Sequence, residues 1–186
     1  VAFKKDLRTG HKAENYIMDV LAEAGLPAQA NVDPKHFSDY DLQSVLNGRF
    51  FTLEAKYDKY ENRSGNIAIE FFNPKTNRPT GIDATKADLW VHVLANPMSA
   101  WVTTVASLRR YIRDYDPIRV IERGGDDNSS MLLYDRETIF KDIFHRLDGR
   151  TPPVTKTLLS KLLGPKYKAG RPRCIFVKGR GLVMAA

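Results

Sequence analysis

The chain has 186 residues, 42% apolar and 10% aromatic, which supports one ordinary domain with a real core and argues against disorder. Its single cysteine, Cys174, excludes an internal disulfide framework and a cysteine-based zinc site; no apolar run approaches the ~18 residues of a membrane span, so a cytoplasmic protein without a membrane partner is expected. The net charge of +7 is uneven: from Arg146 to Ala186 ten Lys/Arg stand against one acid, Asp148, whereas the rest of the chain carries 19 basic and 21 acidic side chains. A near-neutral body with a basic end suits a polyanion, and DNA is the expected partner.

In chain order, the start VAFKKDLRTGHKAE has no secretory apolar region. Ala13, Tyr16, Ile17, Val20 and Leu21 fall at helical spacing, predicting a helix from about His11 to Ala24, capped by Thr9 and stopped by Gly25. A short strand from Tyr40 to Val45 ends at the turn signal Asn47-Gly48. The next strand runs from about Arg49 to Tyr57, the polar segment Asp58 to Gly65 follows, and IAIEFF (67–72) reads as a third strand. NPKTNRPTG is loop by composition, DATKAD a brief helix capped by Asp83, and LWVHVLAN a buried strand paired with WVTTVA across Asn96-Pro97.

SLRRYIRDY is a helix closed by Pro117; Arg109, Arg110 and Arg113 on it read as a solvated face or a second basic patch. RVIE and MLLY form a hairpin across GGDDNSS, a helix covers Arg136 to Leu147, and TPPVTKTLLSKLLG starts a helix with proline. One strand is expected in the basic stretch after it. The organisation is a core over 1–148, with an added hairpin and helix, and a small basic C-terminal extension over 149–186.

The strand RFFTLEAKYD carries the question of function. Alternation sends Phe51, Leu53 and Ala55 into a core and Thr52, Glu54 and Lys56 together to the other face. A Glu-x-Lys pair alone is common on solvated strands. Here SDYDL adds Asp39 and Asp41 on one face, the third strand adds Glu70, and the first helix adds Glu14. If the strands pair in sequence, these carboxylates converge into a site for a hard cation such as Mg²⁺ or Mn²⁺. A lysine two residues from a ligand would orient an attacking water, the arrangement for metal-assisted hydrolysis of a phosphodiester.

Asp41 followed by Glu54-Ala55-Lys56, behind a helix bearing Glu14, resembles the PD-(D/E)xK nuclease superfamily, which includes restriction endonucleases, Holliday-junction resolvases and phage recombination nucleases. GHKAENYIMDVLAEAG is similar to the resolvase-type first helix, and TGIDATKADLWVHVLAN to the helix and strand after the site in phage-type members. The resemblance covers about Gly10 to Tyr115. It implies an α/β fold with a restriction-endonuclease-like core, a central mixed β-sheet flanked by helices in the order α-β-β-β-α-β.

It also implies Asp41 and Glu54 as metal ligands, the Ala55 carbonyl as a further ligand, Lys56 as the catalytic lysine, and Glu14 as an outer helper. Lys86 would be a phosphate contact or auxiliary residue. Tyr40 stands where the family has proline, and Asp39 competes with Asp41 for the ligand position. The activity implied is a Mg²⁺- or Mn²⁺-dependent DNA endonuclease acting on branched recombination or repair intermediates, where two cuts suit a homodimer. The alternatives are a sequence-specific restriction- or homing-type endonuclease, or a non-catalytic DNA-binding module on the same fold.

Backbone contacts to DNA are expected from Lys156, Lys161, Lys166, Lys168, Arg171, Arg173, Lys178 and Arg180, with Tyr167 among them. Other chemistries lack their residues. His11, His36, His92 and His145 have no zinc spacing, His92 reads as a bonded core residue, and no GxxxxGK[ST] loop is present. Gly124-Gly125-Asp126-Asp127 reads as a hairpin turn.

Overall fold

A computed structural model describes residues 2–33, 39–124, 128–165, 174–177 and 181–184, with the backbone alone for 2–10 and for the last two strands. Helix α1 (Ala2–Glu23) starts earlier than predicted, and Thr9, the expected cap, lies inside it. The run AFKKDLR contains mostly good helix formers, which carries the helix back through this segment. Its end is the predicted one. Gly25 takes φ +66°, its N–H bonds Ala22 O (2.8 Å), and Leu26 N–H bonds Leu21 O (2.9 Å), the two bonds of a Schellman cap.

A short strand β1 (Ala28–Ala30), unforeseen in the sequence, precedes β2 (Leu42–Leu46) and β3 (Arg49–Asp58). Asn47 and Gly48 join β2 to β3 with φ of 52° and 74°, as a two-residue hairpin turn with both φ positive requires. Next come α2 (Glu61–Ser64), β4 (Asn66–Asn73), β5 (Arg78–Pro79) and α3 (Gly81–Ala84). Asp83 lies within α3 and Thr80, not Asp83, precedes it.

The hairpin β6 (Leu89–Ala95) and β7 (Met98–Thr104) leads into α4 (Val105–Asp114), where Thr104 Oγ1 caps the helix by accepting from Ser107 N–H at 2.9 Å. A second hairpin, β8 (Arg119–Gly124) and β9 (Ser129–Asp135), leads into α5 (Arg136–Ile143), capped by Asp135. This helix stops short of its predicted end. His145–Arg146 instead form β10 against β7. Helix α6 (Pro152–Leu163) starts with proline as read, and two antiparallel strands, β11 (Cys174–Val177) and β12 (Gly181–Met184), stand where one was expected.

The fold is mixed α/β, with a central mixed sheet of order β1-β2-β3-β6-β7-β10 flanked by helices. β2 and β3 are antiparallel, β3 and β6 parallel. One expectation fails here: β4, the third strand, does not join this sheet. It pairs with β9 in a second sheet of order β5-β4-β9-β8. The position beside β3 must be apolar on both faces, and β6 supplies six consecutive buried residues, Leu89 to Leu94. β4 alternates instead, and belongs where only one face is covered.

Alternation along β3 and β6 divides the core in two. Phe51, Leu53, Leu89, Val91 and Val93 pack with Ile17, Val20 and Leu21 of α1 and Leu159 of α6. Trp90 and Leu94, on the opposite face, pack with Ile67 and Ile69 of β4, Leu108 of α4 and Phe140 of α5. Glu54 and Lys56 share this second face. Among the described residues no helix is long and apolar enough to cross a membrane.

Candidate active site

The β2–β3 register ends where Leu42 meets Leu53, and Asp41, the residue just before β2, is bonded to β3 on either side of Glu54, at Leu53 and Ala55. Backbone bonds hold Asp41 from both sides: its N–H donates to Leu53 O (3.0 Å), and its carbonyl accepts from Asn31 N–H (2.7 Å). Its Oδ2 accepts from Ala55 N–H at 2.7 Å. Glu54 is buried, and its Oε1 lies 2.6 Å from Lys56 Nζ. The ammonium also sits 5.6 Å from the centre of the Trp90 ring, which faces Glu54 across the parallel pair.

These groups disturb one another's protonation. Burial first, then the charge of Glu54 and more weakly that of Glu14, pushes the Asp41 carboxyl up to about 6; Lys56 and the Ala55 N–H oppose the shift. For Lys56, burial alone would favour the neutral amine. The charges of Glu54 and Asp41, the Glu54 hydrogen bond and the charge of Glu70 outweigh it, holding the pKa above the ordinary lysine value.

The remaining sequence candidates are placed as follows. Glu70 is not on a neighbouring strand of the same sheet; it reaches Lys56 through charge from β4, with Oε1 accepting from Thr80 Oγ1 (3.0 Å) and Ser129 Oγ (2.9 Å). Glu14 pairs with His11 at 3.2 Å on α1. Asp39 Oδ1 lies 3.0 Å from Lys86 Nζ, and its carbonyl accepts from Lys86 N–H (2.7 Å). The carboxylate set against Glu54 is therefore that of Asp41. Lys156 and Lys161 are exposed on α6. Lys166, Lys168, Arg171, Arg173, Lys178, Arg180, Tyr167, His36 and the turn residues 125–127 lie outside the described residues.

Three residues have supporting roles that were not read in the sequence. Asp88 Oδ2 accepts from Thr52 N–H (3.0 Å) while Asp88 N–H donates to Thr52 Oγ1 (3.1 Å), fixing the start of β6 against β3. Arg109, read as part of a solvated face, donates to Ile82 O (2.8 and 3.0 Å) and Thr85 O (2.7 Å), gripping the segment that carries Lys86. Asp58, at the end of β3, bonds His92 Nε2 (3.4 Å). A carboxylate immediately before an apolar strand, facing a Thr-bearing strand, is the one signal that pointed to Asp88; Arg109 and Asp58 acquire partners only through long-range packing.

Among the described residues no group of three or more His, Cys, Asp or Glu is gathered to hold a metal. Asp41, Glu54 and the Ala55 carbonyl nevertheless fit Mg²⁺. The set is all oxygen, and Mg²⁺ is commonly held by one or two carboxylates while keeping several waters. The mutual repulsion that raises Asp41 is the penalty a shared cation would remove.

No family model and no curated protein matches the chain. Among solved structures it is similar to a bacterial homing endonuclease, I-Ssp6803I, with 19% identity and a TM-score of 0.42 over 55% of this chain and 71% of that one.

Proposed function

We propose that this chain is a metal-dependent DNA endonuclease of the PD-(D/E)xK type, acting on branched recombination or repair intermediates, with two copies suited to two cuts. The observation that carries the reading is the Glu54–Lys56 ion pair, half-withdrawn from water, with the Asp41 carboxylate bonded to the Ala55 N–H between them and raised in part by the charge of Glu54. A structural salt bridge has no need of a second carboxylate pressed against it.

Asp41, Glu54 and the Ala55 carbonyl would hold the cation, which when bound neutralises phosphate charge and makes water a competent nucleophile near neutral pH. Glu54 and Asp41 hold Lys56 above the ordinary lysine value, so it would serve as a donor and not as the base. Its ammonium, aimed by Glu54, would orient the attacking water and meet the charge that grows on the phosphoryl oxygens as the water oxygen bonds phosphorus, its proton passing to solvent, and the bond to the leaving oxygen breaks, that oxygen taking a proton from solvent. Lys86 lies to the side as a phosphate contact, and the basic C-terminal region as a backbone contact.

The test is cleavage of supercoiled plasmid and of a synthetic four-way junction with Mg²⁺, Mn²⁺ or EDTA. Cutting is expected with either metal and not with EDTA, preferring the junction, and Lys56→Ala is expected to slow it by about 10²–10³ or more. Binding of both DNAs without cutting under any metal would refute the catalytic reading in favour of a binding module.

A further inference from the structure

The turn that follows the catalytic strand is built more rigidly than a connector requires. Tyr60 N–H donates to Asp58 Oδ1 (2.8 Å), and Tyr60 O accepts from Arg63 N–H and Ser64 N–H (3.0 Å each). Glu61 is buried with its Oε1 accepting from Asn96 N–H (3.4 Å), and Asn62 Nδ2 bonds Asn96 O. From α5, Arg136 N–H donates to Gly65 O (3.0 Å) and its Nη1 to Asn62 Oδ1 (3.4 Å). The acids in and beside this turn are occupied by the protein itself: Asp58 bonds His92 and the backbone, Glu61 is buried, and Asp135 caps α5.

What the turn offers to solvent is different in kind. Tyr60 is 66% exposed, the most exposed large aromatic described, and stands between exposed Lys59 and Arg63, with Arg136 held alongside. An exposed aromatic on a bonded turn, with cations beside it in the chain, is the kind of surface that takes an unpaired base and its backbone phosphates. Duplex bases are stacked on each other and present no such face. Tyr60 is four residues past Lys56, within about 14 Å along the chain.

We infer that Tyr60, Lys59 and Arg63 form a subsite for an unpaired nucleotide beside the cleaved phosphodiester, the base stacked on Tyr60 and the flanking phosphates on the two cations. This rests on the nuclease reading for the identity of the cut strand. It makes the preference for junctions, flaps or frayed ends over intact duplex a property of this one turn.

Anisotropy of labelled single-stranded, four-way-junction and duplex DNA, with EDTA present, tests it on the full chain. Tyr60→Ala should weaken binding to single strand and junction by about 5- to 150-fold, leaving duplex affinity near wild type, and Tyr60→Phe should bind like wild type. Lys59→Ala with Arg63→Ala should flatten the salt dependence on single strand by about 1.4 in log–log slope. If the wild type cuts with Mg²⁺ but Tyr60→Ala binds all three DNAs unchanged, the subsite is wrong and the nuclease reading stands. If Tyr60→Phe is as weak as Tyr60→Ala, stacking is not the contact and the inference fails. A wild type that neither binds nor cuts overturns both.

Discussion

At the residue scale, the charges of the candidate site resolve into two kinds. Asp41, Glu54 and Lys56 leave an excess negative charge on a half-buried face, which suits a ligand. Asp58 is satisfied within the protein. Burial alone would push its carboxyl up, but the bond and charge of His92, with the N–H groups of Tyr60 and Ala68, hold it below the ordinary carboxylate value. Because the folded value lies below the unfolded one, about 3.9, Asp58 stabilises the fold above that pH and ceases to do so as pH falls through the folded value. Asp58→Asn is therefore expected to lose about 1–3 kcal/mol at pH 7, and the gap to wild type should close as pH falls through the depressed folded value. Urea unfolding across pH measures both. A gap that persists undiminished in acid would mean that Asp58 acts by shape and not by charge.

At the element scale, the segment from α3 to the start of β6 acts as a clasp. Gly81 takes φ +50° with its Cα so close to β4 that a Cβ would lie 2.2 Å from Glu70 O. Thr85 Oγ1 and Lys86 bind Asp39, Asp88 binds Thr52, and Arg109 of α4 holds the carbonyls of Ile82 and Thr85 from behind. Arg109→Ala should speed amide exchange at Thr85 to Ala87 and raise KM for DNA more than it lowers kcat, since Lys86 is displaced while Glu54 and Lys56 stay on their strand. Arg109→Lys should behave similarly, because one ammonium cannot reproduce the fork that spans both carbonyls. Equal loss in kcat would show that the clasp reaches the reacting groups. The sequence disclosed the strands, turns and ends that rest on local chemistry: Gly25, Asn47-Gly48, the proline start of α6 and the two faces of β3. It disclosed the pairing of Glu54 with Lys56 for the same reason, since period two alone sets them together. The departure of β4 into a second sheet was not legible. That depends on β6 outcompeting it for the place beside β3, a contest between segments some twenty residues apart. The clasp of Arg109 was hidden likewise, its partners being backbone carbonyls that any sequence possesses.

At the scale of the molecule, the question is how a near-neutral body is held to a polyanion. Near the site Lys59, Arg63 and Lys86 are exposed, and the sequence concentrates the chain's excess of cations from Arg146 onward. Lys156 and Lys161 lie on α6, which packs its Leu159 against the α1 face of the central sheet, whereas Glu54 and Lys56 lie on the other face. Under the proposed function, DNA touching both would pass around an edge of the sheet, and its contacts with α6 would be to backbone alone. Such contacts release counterions without reading bases. Lys156→Ala and Lys161→Ala should each reduce the slope of log K against log salt by about 0.9 on duplex, alike for every sequence, with the single-turnover rate at saturating DNA unchanged. A salt titration of binding for the wild type and both variants decides it. Unchanged slopes would confine the DNA to the Glu54 face and the turn at Tyr60, and a reduced saturating rate would mean that α6 helps to bend or seat the strand being cut.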